Sequence, residues 1–363
     1  MSARVCFVVG ARPNFMKSAP VHRELAALDP SLELVLLHTG QHYDESMSDV
    51  FFRELGMPVP DEFLGVGPGT HGEQTAKALV GIERVLQERA IDLCVVAGDV
   101  NSTLAGALAA VKLGVPIAHI EAGLRSFDRA MPEEHNRVLT DHVSDILLAH
   151  SEEAITNLQR EGITSGVHLV GNTMIDSLLE HLETARARRS WGSFGVEPQR
   201  YALVTLHRPA LVDDPEKLTA VTDGLIALAQ IQPVLFPVHP RTLRNLEASG
   251  NEGRLRDAGV LVTEPLGYLD FLCLEADAAY VVTDSGGVQE ETTALGVRCF
   301  TLRDSTERRV TEELGTNRVL GAKPERLLEI PKLLERPKPG DVVPGWDGSA
   351  GARAAEVLRR SLG

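Results

Sequence analysis

Eleven short runs of apolar residues, all but the last closing on Gly, Asp, His, Ser, Asn or Pro, constrain this chain more than any other feature. In the first half they are "RVCFVVG", "LELVLLHTG", "IDLCVVAGD", "VPIAHIEAG", "DILLAHS" and "VHLVGN". In the second half they are "YALVTLH", "PVLFPVHP", "GVLVTEP", "AAYVVTDS" and "VRCFTL". Most are nearly continuous in apolar residues, as strands of a parallel sheet covered on both faces must be. The stretches between them are amphipathic. In Gly72 to Glu88, for example, Ala76, Leu79, Val80 and Val85 are expected on one helical face. The strand–helix rhythm runs twice, so the expected fold is α/β, with two doubly wound Rossmann-like domains facing a cleft.

A chain of 363 residues exceeds one ordinary core, which agrees with two domains. The break is expected within "GNTMIDSLLEHLETARARRSWGSFGVEPQRY", dividing residues 1–172 from 173–363, with the final helix free to pack back on the first domain. In open α/β sheets, ligands bind beyond the carboxyl ends of the strands. The polar residues that close the apolar runs are therefore the candidates for chemistry.

Composition removes several classes of function. A net charge of −15 repels nucleic acid and anionic membranes, so an anionic ligand must be met by a local group of cations. No apolar run approaches the roughly 20 residues a membrane helix needs. The N-terminus resembles a first strand more than a signal peptide, which leads to the expectation of a cytoplasmic protein. Cys6, Cys94, Cys273 and Cys299 lie far apart in apolar segments without a CxxC pair, so buried free thiols are expected.

Several strand ends carry titratable groups. Asp99 closes "VVAGD", Glu121 follows "AHI", and His207 closes "TLH". Such a group at one strand end is ordinarily a helix cap, whereas several at neighbouring ends suit proton transfer. A metal-ligand role for Asp99, Glu121 and His207 is the alternative, with no HExxH to support it. "MPEEHNR" adds Glu133 and Glu134 in the first turn of a helix, where carboxylates also complement the dipole. Gln41, His42 and Asp44 follow the second strand, and His239 closes another strand run.

Two segments suit an anion. "GARPNFMK" sets Gly10, Arg12 and Lys17 at a strand-to-helix turn, without a dinucleotide fingerprint or a P-loop. "TDSGGVQEE" opens a helix with Ser285, Gly286 and Gly287, where glycines admit a phosphate to backbone amides. A plain capped helix, with Asp284 or Ser285 as the cap, is the simpler reading. Glu291, further along that helix, is placed to accept hydrogen bonds from vicinal hydroxyls.

The ordered set "GARPNFMK", "TGQH", "GDVNST", "HIEAGLRS", "PEEHNR", "GNTMID", "LHRP", "PVHPRT", "TDSGGVQEE" and "STERR" resembles the non-hydrolysing UDP-N-acetylglucosamine 2-epimerases over nearly the whole chain. The resemblance implies a GT-B-type fold, usually dimeric, interconverting UDP-GlcNAc and UDP-ManNAc with neither metal nor nicotinamide. UDP would be eliminated across C1 and C2 to give 2-acetamidoglucal, then added back with the proton on the other face. By the same resemblance Asp99, Glu121, Glu133 and His207 are catalytic. Arg12, Lys17, Leu266, Phe271, Ser285, Gly286, Gly287, Glu291 and Arg308 bind the nucleotide. Leu266 would serve uracil through its backbone and Phe271 through its ring.

Three departures from the family pattern stand out. "HRPALVDD" puts Pro209 and Ala210 where many members carry a charged pair, "QHYDESM" replaces a "QHRQM"-like run, and Arg309 stands where proline is usual. The first two runs serve some bacterial members in binding an activating second UDP-GlcNAc, so turnover without an activator is expected here. An epimerase acting on a 2,3-diacetamido uronic acid sugar is the nearest alternative. A hydrolysing epimerase and a GT-B glycosyltransferase lie further off.

Overall fold

The computed structural model describes residues 2–40, 57–335, 340 and 342–363, with the backbone but not the side chain of Arg12. The chain forms two compact units. The first comprises Met1–Glu180 and Pro344–Gly363, the second His181–Val343. The division thus falls inside the continuous helix Thr173–Arg188 rather than at residue 172.

The first unit holds β1 (Arg4–Val9), β2 (Glu33–His38), β3 (Glu62–Phe63), β4 (Leu93–Ala97), β5 (Ile117–Ala122), β6 (Ile146–Ala149) and β7 (Val167–Leu169). They make one parallel sheet in the order β3-β2-β1-β4-β5-β6-β7. The second unit holds β8 (Ala202–Thr205), β9 (Val234–Pro237), β10 (Leu261–Thr263), β11 (Tyr280–Thr283), β12 (Arg298–Thr301) and β13 (Asn317–Val319). Their order is β10-β9-β8-β11-β12-β13, again parallel. Both orders are doubly wound, with the chain reversing its direction of travel between β1 and β4, and between β8 and β11. Those two places are where ligands of such sheets bind.

The expected α/β class with two Rossmann-like sheets is therefore what the chain adopts. Two strands, β3 and β13, were not among the eleven apolar runs. Both are sheet edges of two or three residues, too short and too polar to register as runs. The helix His71–Glu88 also turns differently from expectation. It buries Ala78, Ile82, Val85 and Leu86, leaving Val80 65% exposed and Ala76 on the outside. The buried set keeps the i, i+4, i+7, i+8 spacing of one helical stripe; of the expected residues, Val85 belongs to it and Leu79 packs against the same core.

The C-terminal segment joins the first unit through polar contacts as well as packing. Asp176 accepts the N–H groups of Ala350 (3.2 Å) and Gly351 (2.6 Å), and Trp346 donates to the His150 carbonyl (3.4 Å). A side chain at Gly351 would come within 2.9 Å of the Pro20 backbone, so glycine there lets the helix Ala350–Ser361 lie close on Arg12–Leu28. All four cysteines are free and buried, as expected. Burial pushes the Cys94 and Cys299 thiols up to about 12, which makes them unreactive.

His38, at the end of β2, sits between two rings. Phe15 and Phe63 stack on it with centroids 5.2 and 5.1 Å away. Burial lowers its imidazole from 6.5 to about 4. Between those pH values the unfolded chain holds a proton there that the folded chain does not. Stability is therefore present above pH 6.5 and lost as pH falls toward about 4. The loss should be on the order of 3 kcal/mol. Urea unfolding at neutral pH and near pH 4 measures it, and His38→Phe, which fills the same stack, should abolish this component. The same acid dependence in that variant would contradict the assignment.

Candidate active site

In the first unit the candidate residues gather where the chain leaves β1, β4 and β5. Ala97 of β4 pairs with Ile120 of β5, so Asp99 and Glu121 emerge from adjacent strands at nearly the same level. Asn14 organises the turn after β1. Its Oδ1 accepts the N–H groups of Gly10 (3.2 Å) and Ala11 (3.1 Å), while its Nδ2 donates to the Ala97 carbonyl (2.6 Å).

Glu121 departs from strand geometry. Its φ is +71°, and the register of β5 on β6 shifts between Ile120 and Ala122. A non-glycine residue in that region is strained, and such strain is kept where it aims a side chain. The carboxylate it aims is 6% exposed and ion-paired with Lys17, itself 4% exposed. Gly98 makes room for the pair, because a Cβ there would stand 2.9 Å from Lys17 Nζ and 3.5 Å from Glu121 Oε2. Lys17, expected to meet a nucleotide, here has Glu121 as its partner.

Asp99 is held from the helix Pro132–Val143. Arg137 donates to Asp99 Oδ2 through Nε (3.2 Å) and Nη2 (2.5 Å), and Asn136 donates to the Asp99 carbonyl (2.9 Å). The neighbouring glutamates on that helix divide sharply. Glu134 is buried and accepts from Ser126 N (2.9 Å), Ser126 Oγ (2.9 Å), Phe127 N (2.8 Å) and Arg137 Nη1 (2.5 Å). Its work is to tie down the loop after β5. Glu133 is half-buried and makes no hydrogen bond or ion pair among the described residues.

Behind this cluster lies a chain of hydrogen-bonded ionisable groups. His119 on β5 places Nδ1 2.7 Å from Asp141 and Nε2 2.8 Å from the Gly98 carbonyl, beside Asp99. Asp141 also accepts from Arg125 (2.7 Å) and from Gly123 N (3.1 Å). Arg125 continues to Glu161 (2.7 and 2.6 Å). Burial alone would raise the Asp141 carboxyl. The hydrogen bonds and charges of His119 and Arg125 outweigh it and hold the group below the ordinary range.

In the second unit His207 follows β8, and Asp284 follows β11. The Asp284 carboxylate is fully buried and accepts the N–H groups of His207 (2.9 Å) and Arg208 (2.8 Å). The His239 ring centroid is 5.8 Å from that of His207. His239 caps the helix Pro240–Ala248 by accepting from Arg241 N (3.1 Å). Burial first, and the neighbouring His207 second, push its imidazole down. Pro209 and Ala210 open the short helix Pro209–Val212.

The helix Gly286–Leu295 begins with Ser285 as its capping residue, yet Ser285 makes no side-chain cap hydrogen bond. Asp284 is committed to the His207 turn. Neither serves as the side-chain cap, so the simpler capped-helix reading is corrected, and the first-turn amides keep their donor character. Arg308, 6% exposed, lies against Gly286, where a Cβ would be 2.6 Å from Nη1. It is ion-paired with Glu290 (3.1 Å) and Glu307, and Arg303 adds a 2.7 Å contact to Glu307. Glu291 is half-buried on the same helix. Leu266 and Phe271 are partly buried, packed on the core beside Val288 and Tyr201.

Gln41, His42 and Asp44 lie outside the described residues, as does the side chain of Arg12. Among the described residues no group of three or more His, Cys, Asp and Glu is arranged to hold a metal ion, so the metal-ligand alternative gains no support. No described helix is long and apolar enough to cross a membrane. Arg137, Asn136, His119 and Asp141 are not among the sequence candidates, and Glu134 and Asp284 enter there only as a dipole-complementing carboxylate and a possible helix cap. Arg137 and Asn136 lie 38 and 37 residues from Asp99, and Asp284 lies 77 from His207, so only the fold shows which candidate each touches.

Comparison with known proteins accords with this geometry. The family model for UDP-N-acetylglucosamine 2-epimerase matches residues 24–359. The UDP-N-acetylglucosamine 2-epimerase of Methanocaldococcus jannaschii is 42% identical over 98% of both chains. Its crystal structure in complex with UDP-GlcNAc and UDP superposes with a TM-score of 0.91, covering 98% of this chain and 99% of that one. The UDP-2,3-diacetamido-2,3-dideoxy-D-glucuronate 2-epimerase of Pseudomonas aeruginosa is 40% identical over 98% of this chain and 99% of its own. The Neisseria meningitidis UDP-GlcNAc 2-epimerase bound to UDP-GlcNAc gives a TM-score of 0.86 at 27% identity, covering 99% of each chain. With a family model matching residues 24–359 and a relative 42% identical over 98% of both chains, this chain belongs to the UDP-N-acetylglucosamine 2-epimerase family.

Proposed function

We propose that this chain is a non-hydrolysing epimerase that interconverts UDP-GlcNAc and UDP-ManNAc. The observation that carries the reading is the pair of strand-end carboxylates, Asp99 and Glu121, each fixed by its own buried cation. Epimerisation at C2 cannot proceed by simple proton exchange, because no carbonyl adjoins that carbon. A carboxylate removes the C2 proton, the C1–oxygen bond breaks, and its electron pair leaves with UDP, giving 2-acetamidoglucal. UDP then returns to C1 while a proton is delivered to the opposite face of C2. Atoms and electrons balance without an oxidant or reductant, so the reaction calls for no nicotinamide.

In this reading Asp99, Glu121 and Glu133 serve C1 and C2 as base and acid, and His207 neutralises or protonates the departing diphosphate. Lys17 holds the Glu121 carboxylate in place through their ion pair. Ser285, Gly286 and Gly287 with Arg308 and Arg12 receive the diphosphate, Glu291 the ribose hydroxyls, and Leu266 and Phe271 the uracil. The enzyme is read as a homodimer working on a cytoplasmic UDP-sugar. A second reading, a 2,3-diacetamido uronic acid sugar as substrate, is favoured by the similar identity of the Pseudomonas aeruginosa relative, 40% against 42%.

The test is incubation with UDP-GlcNAc in D2O without any acceptor, followed by NMR. Deuterium at C2 together with UDP-ManNAc is expected. Free ManNAc would identify a hydrolase, and no exchange with UDP-GlcNAc but exchange with the diacetamido uronate would establish the second reading.

A further inference from the structure

β8 and β11 are parallel neighbours with Thr205 opposite Thr283, so the chain leaves both strands at the same level. Asp284 is the first residue beyond β11, and His207 lies two beyond β8. One oxygen of Asp284, Oδ2, already satisfies two backbone N–H groups of the turn at His207 and Arg208. That accounts for a structural role and leaves the other oxygen over. Oδ1 is buried, lies 3.1 Å from His207 Nδ1, and forms no well-aligned hydrogen bond among the described residues. A buried carboxylate oxygen without a donor is costly. Its one available donor is the His207 ring, whose side chain is otherwise 40% exposed.

Burial by itself would raise the Asp284 carboxyl, but the hydrogen bonds from the His207 ring and from the two backbone N–H groups keep it below the ordinary range. An ionised carboxylate only accepts, so the ring nitrogen facing it must carry the proton. The neutral ring then has its lone pair on Nε2. The His239 ring neighbouring it is fixed by Arg241 N–H and does not compete for Asp284.

We propose that Asp284 is the positioning residue of His207, holding the ring proton on Nδ1 and presenting Nε2 as the atom that exchanges a proton. The proposal rests on the reading above in which His207 meets the departing diphosphate, and it gives that residue its tautomer and orientation. Asp284 itself touches no substrate.

The full-length wild-type protein, labelled with 15N-histidine, reports the tautomer directly through two-bond proton–nitrogen correlations. The neutral His207 ring should carry its proton on Nδ1; a proton on Nε2 overturns the proposal, whatever the protein catalyses. Asp284→Asn keeps an oxygen for the backbone N–H groups but turns an amide N–H toward Nδ1, which drives the proton to Nε2. That variant should switch tautomer and lose at least about tenfold in kcat, with KM for the UDP-sugar and affinity for UDP unchanged. An unchanged kcat in a folded Asp284→Asn protein overturns the proposal. If the variant does not fold, the wild-type spectrum alone decides. A wild type with the Nδ1 proton but no deuterium exchange at C2 counts for the Asp284 contact and against the epimerase reading, so the two fail separately.

Discussion

Asp99→Asn should lower epimerase turnover at least about 100-fold, the scale of a lost acid–base group. The amide is nearly isosteric and can still accept one hydrogen bond from Arg137, so the strand end should keep its shape. What it loses is the charge and the capacity to take a proton. Glu121→Gln should behave alike, since Lys17 retains a hydrogen-bond acceptor but no counter-charge. His207→Asn removes the group assigned to the diphosphate and should fall by the same order. UDP binding should survive in the first two variants, because their carboxylates belong to the sugar carbons in this reading. The check is initial rate by coupled detection of UDP-ManNAc, with UDP affinity from calorimetry. Near-wild-type turnover in all three variants would defeat the assignment of these residues.

Arg125→Met should destabilise the protein by about 3–5 kcal/mol, the cost of stranding buried charges. The guanidinium is 1% exposed and bridges Asp141 and Glu161 while donating to the Leu124 carbonyl (2.6 Å). Methionine matches much of its length but gives Asp141 no replacement donor, leaving His119 as that carboxylate's remaining ring partner. Exposed ion pairs elsewhere on the surface, such as Arg326 with Glu329, should by contrast contribute little, because solvent screens them. Urea unfolding at constant slope separates the two cases. A change under 1 kcal/mol in Arg125→Met would show that the loop after β5 does not depend on this network.

Much of the fold was legible because parallel strands buried on both faces must be apolar along their length, and a run such as "RVCFVVG" permits few other placements. Legibility failed where burial relaxed. β3 and β13 escaped notice as edge strands, and the face of His71–Glu88 was mistaken because several apolar residues, Val80 among them, remain in solvent. At the site, Asp99, Glu121 and His207 stood out because each closes an apolar strand. Glu133 was separated from Glu134 by resemblance alone, and the structure supplies a physical reason, since Glu134 is consumed by Ser126, Phe127 and Arg137.

The sequence by itself determined the fold class, two doubly wound sheets, and the strand ends at which chemistry could occur, because alternation of buried strands and amphipathic helices is written in local periodicity. Tertiary structure decided which charge meets which. The Lys17–Glu121 pair spans two elements, Arg137 reaches Asp99 from a helix three elements beyond β4, and Asp284 meets His207 from a strand three places later in the second unit. A carboxylate's protonation depends on the cation or donor within a few ångströms, and that distance is set by strand order and register rather than by neighbours along the chain.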